Sequence, residues 1–294
     1  MDVVELRPRG VGDILDLTIR ICRARFPDLL KAVAVVVVPV SIFTAITLVL
    51  VTPAEDPFGR LSDPNFTESI TSGEQVLQEI DGGAVALLVG GLLLAGVMSA
   101  LAAQVATAAT FKIVARAYLG LGQDWKDSVA FAGRRFWPLV WLQFVFGALL
   151  ALGFLALIVP GFYFAVAWAV AIPVLLFEDF RGRAALARSR DLLRGRWWPA
   201  LGLLVIVSAA TGIVAAVISE LVSAVLPANG DLAEAIAEGF AGSIGSVVTT
   251  PFAATAITVL FFDALVRKED FDTAELAESM GVALPDAARP TPHD

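Results

Sequence analysis

Hydrophobic positions in this chain fall into long unbroken runs, and polar positions gather between them. A bilayer hydrocarbon core of ~30 Å needs about 20 apolar helical residues at 1.5 Å each. Six stretches meet that length, at 29–51, 84–110, 137–159, 161–177, 199–226 and 240–265. The second continues as a more polar extension to about Leu119. Pro160-Gly161 divides the third from the fourth and reads as a tight turn. A single span over 137–177 would be too long for a bilayer, so the pattern predicts a hairpin there. The expected architecture is all-α: a polytopic integral membrane protein of about six transmembrane helices.

Between the runs a second pattern recurs three times. An amphipathic segment ends in Arg, then one or two aromatics, then Pro, just before an odd-numbered span. The copies are Arg25-Phe26-Pro27, Arg135-Phe136-Trp137-Pro138 and Arg196-Trp197-Trp198-Pro199. Apolar residues upstream follow helical spacing: Val11, Ile14, Leu15, Thr18, Ile21 and Cys22; then Trp125, Val129, Ala132 and Phe136; then Ala185, Ser189, Leu192, Leu193 and Trp197. Arg suits lipid phosphates, Phe and Trp suit headgroup depth, and Pro suits a first helical turn. The expected unit is one interfacial amphipathic helix followed by two spans, giving three such helices on the cytoplasmic side. The polar loop 52–83 holds no clear element beyond a short helix around 74–80. The segment 269–294 predicts a cytoplasmic tail with one short helix at 273–280 and a disordered end. Residues 1–268 make up one membrane domain.

Charge fixes the expected orientation. Of the 21 Lys and Arg, only Arg60 lies outside the segments that even-numbered topology places on one face. Cytoplasmic loops carry the Lys and Arg excess, so both termini are expected in the cytoplasm of a plasma membrane. No cleavable signal segment is expected, because the first apolar run begins late and is too long for one. Composition agrees with a lipid solvent: 57% hydrophobic, 17% charged, mean hydropathy +0.79. Usage rich in Ala, Val and Arg fits a high-GC bacterium.

Chemistry is scarce. The chain has one cysteine, Cys22, and one histidine, His293. Neither can complete a zinc site, a Cys–His dyad or a Ser–His–acid triad without a second partner. No cofactor, no metal and no nucleic-acid partner is expected, and the protein is expected not to be an enzyme.

Three blocks carry a resemblance: RPRGVGDILDLTIRICRARFPDLL, PGFYFAVAWAVAIPVLLFEDFRGRAALARSRDLLRGRWWPALG and PFAATAITVLFFDALVRKEDFD. Together they resemble the glycerophosphoryl diester phosphodiesterase membrane-domain family. That name comes from fusions in which the membrane domain precedes a soluble phosphodiesterase barrel. The barrel's paired histidines, acidic residues and metal have no counterpart here, so the resemblance implies a membrane fold and transfers no catalytic residue.

Candidate sites are therefore contacts. Arg25, Arg135, Arg196, Trp137, Trp197 and Trp198 are expected to meet lipid headgroups. Asp263 and Arg267, spaced i, i+4, read either as a buried pair on a substrate or proton path or as an interfacial pair ending the span, with Arg267 snorkelling. Glu178-Asp179 ends the fourth span in the same way. Glu220 is expected near the outer interface. Ser99, Gln104, Thr107 and Thr110 form a seam that either lines a cavity or bonds between helices. Pro39, Pro173 and Pro251 are expected to kink their spans. Membrane lipids, anionic ones above all, are the expected partners, with a protein partner or a second copy also open. The leading expectation is a protein that anchors partners or binds anionic lipid. A transporter or lipid translocator, and a platform for a separate phosphodiesterase, are the alternatives.

Overall fold

The computed structural model describes residues 8–51, 82–121, 124–156, 158–226 and 231–269. The loop 52–81 and the segment 270–294 lie outside the described residues, and with them the short helices expected at 74–80 and 273–280. The described chain forms nine helices: α1 (Val11–Val51), α2 (Gly82–Tyr118), α3 (Trp125–Arg134), α4 (Phe136–Ala156), α5 (Ile158–Ala167), α6 (Ala171–Phe177), α7 (Arg183–Leu193), α8 (Trp197–Val225) and α9 (Asp231–Glu269). Among the described residues six helical stretches are long and apolar enough to cross a bilayer, and the protein is a multi-pass membrane protein.

The expected spans at 29–51, 84–110 and 240–265 are parts of longer helices. α1, α2 and α9 each run on as helix at the end where the amphipathic segments lie, which we call the basal end. The first amphipathic segment is consequently not a separate helix, as expected, but the beginning of α1. Only Arg25 leaves helical backbone there, at φ −118°, ψ 16°. Arg135 (φ −101°, ψ 16°) and Arg196 (φ −126°, ψ 23°) adopt nearly the same conformation. The three repeated arginines are thus three copies of one hinge, each followed by a proline in the first turn of the next helix, where a missing N–H costs nothing.

α4 and α5 form the expected hairpin. A Cβ on Gly153 would lie 3.4 Å from the Gly161 Cα, and Phe146 meets Trp168 at 6.0 Å between ring centroids. Both pairs are centred on position 157, as an antiparallel turn requires. The expected turn residues do not make the turn, however: Pro160-Gly161 lies inside α5, and the chain reverses before it. The fourth span is not one straight helix. The chain unwinds between Ala167 and Ala171 because Pro173 cannot donate to the carbonyl four residues back. That carbonyl is Ala169's; the break also turns the Ala171 N–H to the Trp168 carbonyl at 3.0 Å, and the Ala167 carbonyl so freed accepts from Ser189 Oγ at 2.9 Å. Pro39 and Pro251, by contrast, lie inside uninterrupted helices.

Burial is uneven along the bundle. Basal residues such as Phe111, Tyr118, Phe261, Phe262, Ile14 and Ile21 are fully buried, whereas Leu87, Leu93, Ile213, Val217 and Leu221 at the other end are exposed. Lipid tails are as apolar as leucine and do not drive helices together, so the distal halves can present their side chains to lipid. Tight packing concentrates where the amphipathic helices dock. Their apolar stripes face the protein: Ile14, Leu17, Thr18 and Ile21 of α1, Ser128 and Ala132 of α3, and Ala185, Leu186, Ser189, Leu192 and Leu193 of α7 are all buried. Leaving a large aliphatic side chain in water instead would cost roughly 1.5–3 kcal/mol.

Gly182 starts α7 at φ +52°, and a Cβ there would sit 3.0 Å from Trp141 Nε1. Gly182→Ala should lower the thermal unfolding midpoint of the detergent-solubilised protein, by about 1–3 kcal/mol in stability. Gly202→Ala on α8, with nothing within 4 Å, should be neutral or mildly stabilising in the same melt.

Candidate functional site

The basal end is organised by one carboxylate. Asp263, in the last turns of α9, is 3% exposed. Its Oδ1 accepts from the Arg9 backbone N–H at 2.6 Å, and Arg267 Nε donates to both oxygens at 3.1 Å. Arg196 Nη1 lies 3.3 Å from Oδ2. Arg267 also donates through Nη2 to the Arg9 carbonyl at 2.8 Å. An ionised carboxylate in a low-dielectric interior survives only with such partners. The knot ties the beginning of the described chain, the start of α8 and the end of α9 together, and thereby places both ends of the described chain on the same side of the bundle. Around it, Tyr118 meets Phe262 at 4.9 Å and Phe177 meets Phe261 at 5.9 Å, so α2, α6 and α9 share one aromatic core.

A second knot fixes α7. Arg188 bridges Glu178 and Glu269, each at 2.6 Å, and Lys268 Nζ donates to the Asp191 carbonyl. Burial works against the Arg188 charge, but the hydrogen bonds to Glu178 and Glu269 outweigh it and push its pKa up. Arg190 and Arg194 on the opposite face of α7 remain exposed.

The middle amphipathic helix, α3, is capped by Asp124, whose side chain accepts from Lys126 N–H at 2.9 Å. Its Phe131 ring lies under two cations, Lys112 Nζ at 4.6 Å and the Arg135 guanidinium at 4.4 Å. Lys112 also donates to the Asp127 carbonyl at 3.3 Å. Arg116, one turn along α2, holds its Nε buried with no hydrogen-bond partner.

The residues singled out from sequence separate in this frame. Asp263, Arg267 and Arg196 come together. Arg25 donates to the Leu121 carbonyl at 3.2 Å, at the end of α2. Trp137 and Trp198 are 77% and 76% exposed. Trp197 is half-buried, stacks on Tyr163 at 6.3 Å and donates to its carbonyl at 3.5 Å. Gln104 is half-buried and Glu220 is exposed near the distal end of α8. In the helix-two seam, Thr110 is buried and bonds back to the Ala106 carbonyl at 2.9 Å, and Ser99 meets Thr44 of α1 at 3.4 Å. Ser99 also lines a cleft of about 330 Å³ between α1, α2 and α9, together with Ser41, Thr44, Ser243, Ser246 and Thr250. Arg9, Arg188 and Glu269 were missed by the sequence reading, since long-range pairing leaves no local signature.

The family described as Domain of unknown function (DUF8558) matches residues 129–290, more than half of the chain. The chain belongs to the DUF8558 family. No curated protein and no solved structure matches it. The DUF8558 segment contains Asp263, Arg196 and Arg267 and all of the Arg188 knot, whereas Arg9, Lys112 and Arg116 precede it. Among the described residues of this DUF8558 protein, no three His, Cys, Asp or Glu side chains are grouped to hold a metal ion.

Replacing Asp263 should reveal its weight. Asp263→Ala leaves Arg196 and Arg267 without their carboxylate and should cost roughly 3 kcal/mol, read by chemical unfolding in detergent. Combined with Arg196→Gln, the loss should fall well short of the sum of the single losses; additive losses would separate Arg196 from the knot.

Proposed function

We propose that this is a non-enzymatic plasma-membrane protein whose basal layer lies at the cytoplasmic face and binds anionic lipid. The observation that carries the reading is the orientation of the amphipathic helices. Their apolar stripes are spent on the protein's own bundle, so Arg20, Arg23, Lys126, Arg134, Arg183, Arg190 and Arg194 are left exposed. A rigid basic layer at headgroup level attracts anionic lipid at about 1 kcal/mol per cation near the surface. Exposed Trp137 and Trp198 suit the same depth. The Lys and Arg excess supports a cytoplasmic position for this layer, and with it for both termini. The resemblance to the glycerophosphoryl diester phosphodiesterase membrane domain agrees, because it offers a membrane fold and no catalytic group. Protein partners, or a second copy, would meet the same exposed layer.

One observation favours a second reading. The hydroxyl-bearing cleft between α1, α2 and α9 lies within apolar spans, which suits a translocator of lipid or of another amphipathic molecule. Flux of labelled phospholipid across proteoliposomes containing the purified protein, above that of empty vesicles, would support it; equal rates would remove it.

For the main reading, the protein purified in native nanodiscs should retain anionic lipids above their share of the surrounding membrane, measured by mass spectrometry. Retention in proportion to the bulk would contradict lipid binding. Orientation is checked separately with Arg190→Cys in a Cys22→Ser background. Impermeant maleimide added to intact cells should fail to label it, and labelling would place the layer outside.

A further inference from the structure

The three hinge arginines occupy equivalent places in the repeat but do different things. In the first unit Arg25 closes onto the end of that unit's second span, at the Leu121 carbonyl after α2. In the third, Arg196 closes onto Asp263 at the end of α9. The middle unit breaks the rule. Its second span ends at Glu178, and that carboxylate is taken by Arg188 of the following unit. Arg135 instead rests over the Phe131 ring, and among the described residues it has no ion pair.

Arg135 is not alone. Lys112 approaches the same ring, and Arg116 follows it at i, i+4 on the same face of α2. Arg134 directly precedes Arg135 at the end of α3, and Asp127 is the acidic residue of that helix that Lys112 touches. Even there Lys112 bonds the Asp127 carbonyl and not its carboxylate. Four cations thus crowd one corner without an ion pair among the described residues. One of them, Arg116, keeps a buried N–H unsatisfied. Leaving such a donor unpaired is costly, and like charges brought together compound the cost. A dianionic or monoanionic phosphate answers both problems at once, since its oxygens accept from several donors and guanidinium groups recognise it in a fork geometry.

We infer that Lys112, Arg116, Arg134 and Arg135 form a docking site for the phosphate of an anionic lipid headgroup, in the corner between the basal end of α2 and α3. Depth argues for a lipid source: Lys112 and Arg116 belong to the second span, and exposed Trp137 follows Arg135 directly. The inference rests on the reading above and narrows a diffuse basic layer to one site.

The test compares two triple variants of the full chain in phosphatidylcholine nanodiscs doped with phosphatidylglycerol. Lys112→Gln/Arg116→Gln/Arg135→Gln removes three charges from the corner. Arg183→Gln/Arg190→Gln/Arg194→Gln removes the same number from the exposed face of α7. Retained phosphatidylglycerol is quantified by native mass spectrometry. The corner variant should lose affinity by about tenfold or more, and the α7 variant clearly less. Equal losses in a wild type that does select anionic lipid would overturn the site while leaving the general reading intact. No selectivity in the wild type would instead defeat the general reading. Should the triple variant fail to fold, Arg135→Gln and Arg135→Lys decide, because the side chain rests on a ring and has no ion pair among the described residues: loss with Gln and retention with Lys is expected, and identical behaviour overturns the site. Displacement of the lipid by inorganic phosphate or soluble glycerophosphate at comparable concentration would overturn the lipid assignment.

Discussion

A carboxylate buried where water cannot reach it must be neutralised by groups that the fold brings to it. Asp263 is that carboxylate, and the basal end depends on satisfying it. Its partners come from the beginning of the described chain, from the hinge before α8 and from its own helix. Arg267 is present as soon as α9 forms, but Arg9 and Arg196 cannot be supplied until α1, α8 and α9 are side by side. Cations in the last turn of α9 are also favoured by the negative end of the helix dipole. The charge therefore acts as a register mark: the stabilisation it offers is conditional on one arrangement of the long helices.

Around this mark the remaining basal contacts form a layer with two sides. Buried aliphatic and aromatic side chains face the bundle, and guanidinium and ammonium groups face away. α7 is attached by Arg188, Lys268 and Ser189, and α3 by Ser128, Ala132 and the cations over Phe131. Among the described residues the distal halves have no comparable fastening. Their exposed Leu and Val are solvated by lipid, and α1, α2 and α9 separate enough there to leave the hydroxyl-lined cleft. Stability sits at one end and accessible volume at the other.

Span number, the hairpin and the three Arg-aromatic-Pro junctions were legible in the sequence because each has a local signal, the hairpin through an apolar stretch too long for one span; its turn was misplaced at Pro160-Gly161, which is helical. The hinge conformation shared by Arg25, Arg135 and Arg196 gives the repeat a backbone basis. What lay out of reach was the direction of the amphipathic stripes. Spacing identifies an apolar face but not whether lipid or protein covers it, and here protein covers it. Asp263–Arg267 was visible as an i, i+4 pair, whereas Arg9 and Arg196 reach it across long sequence separations that no periodicity encodes. The break at Ala167–Ala171 was foreshadowed by Pro173, but equal prolines at 39 and 251 leave their helices continuous. Surroundings, and not the residue alone, decide whether a chain unwinds.

The central claim is that the amphipathic segments are docked on the protein itself and not held by lipid. Hydrogen–deuterium exchange of the full chain in purely zwitterionic nanodiscs tests it directly. Amides of 11–24, 125–134 and 183–193 should then exchange as slowly as those of the basal halves of α2 and α9, because their partners are side chains present in every lipid. Fast exchange that slows only when anionic lipid is added would show that lipid holds these helices, and would contradict the account.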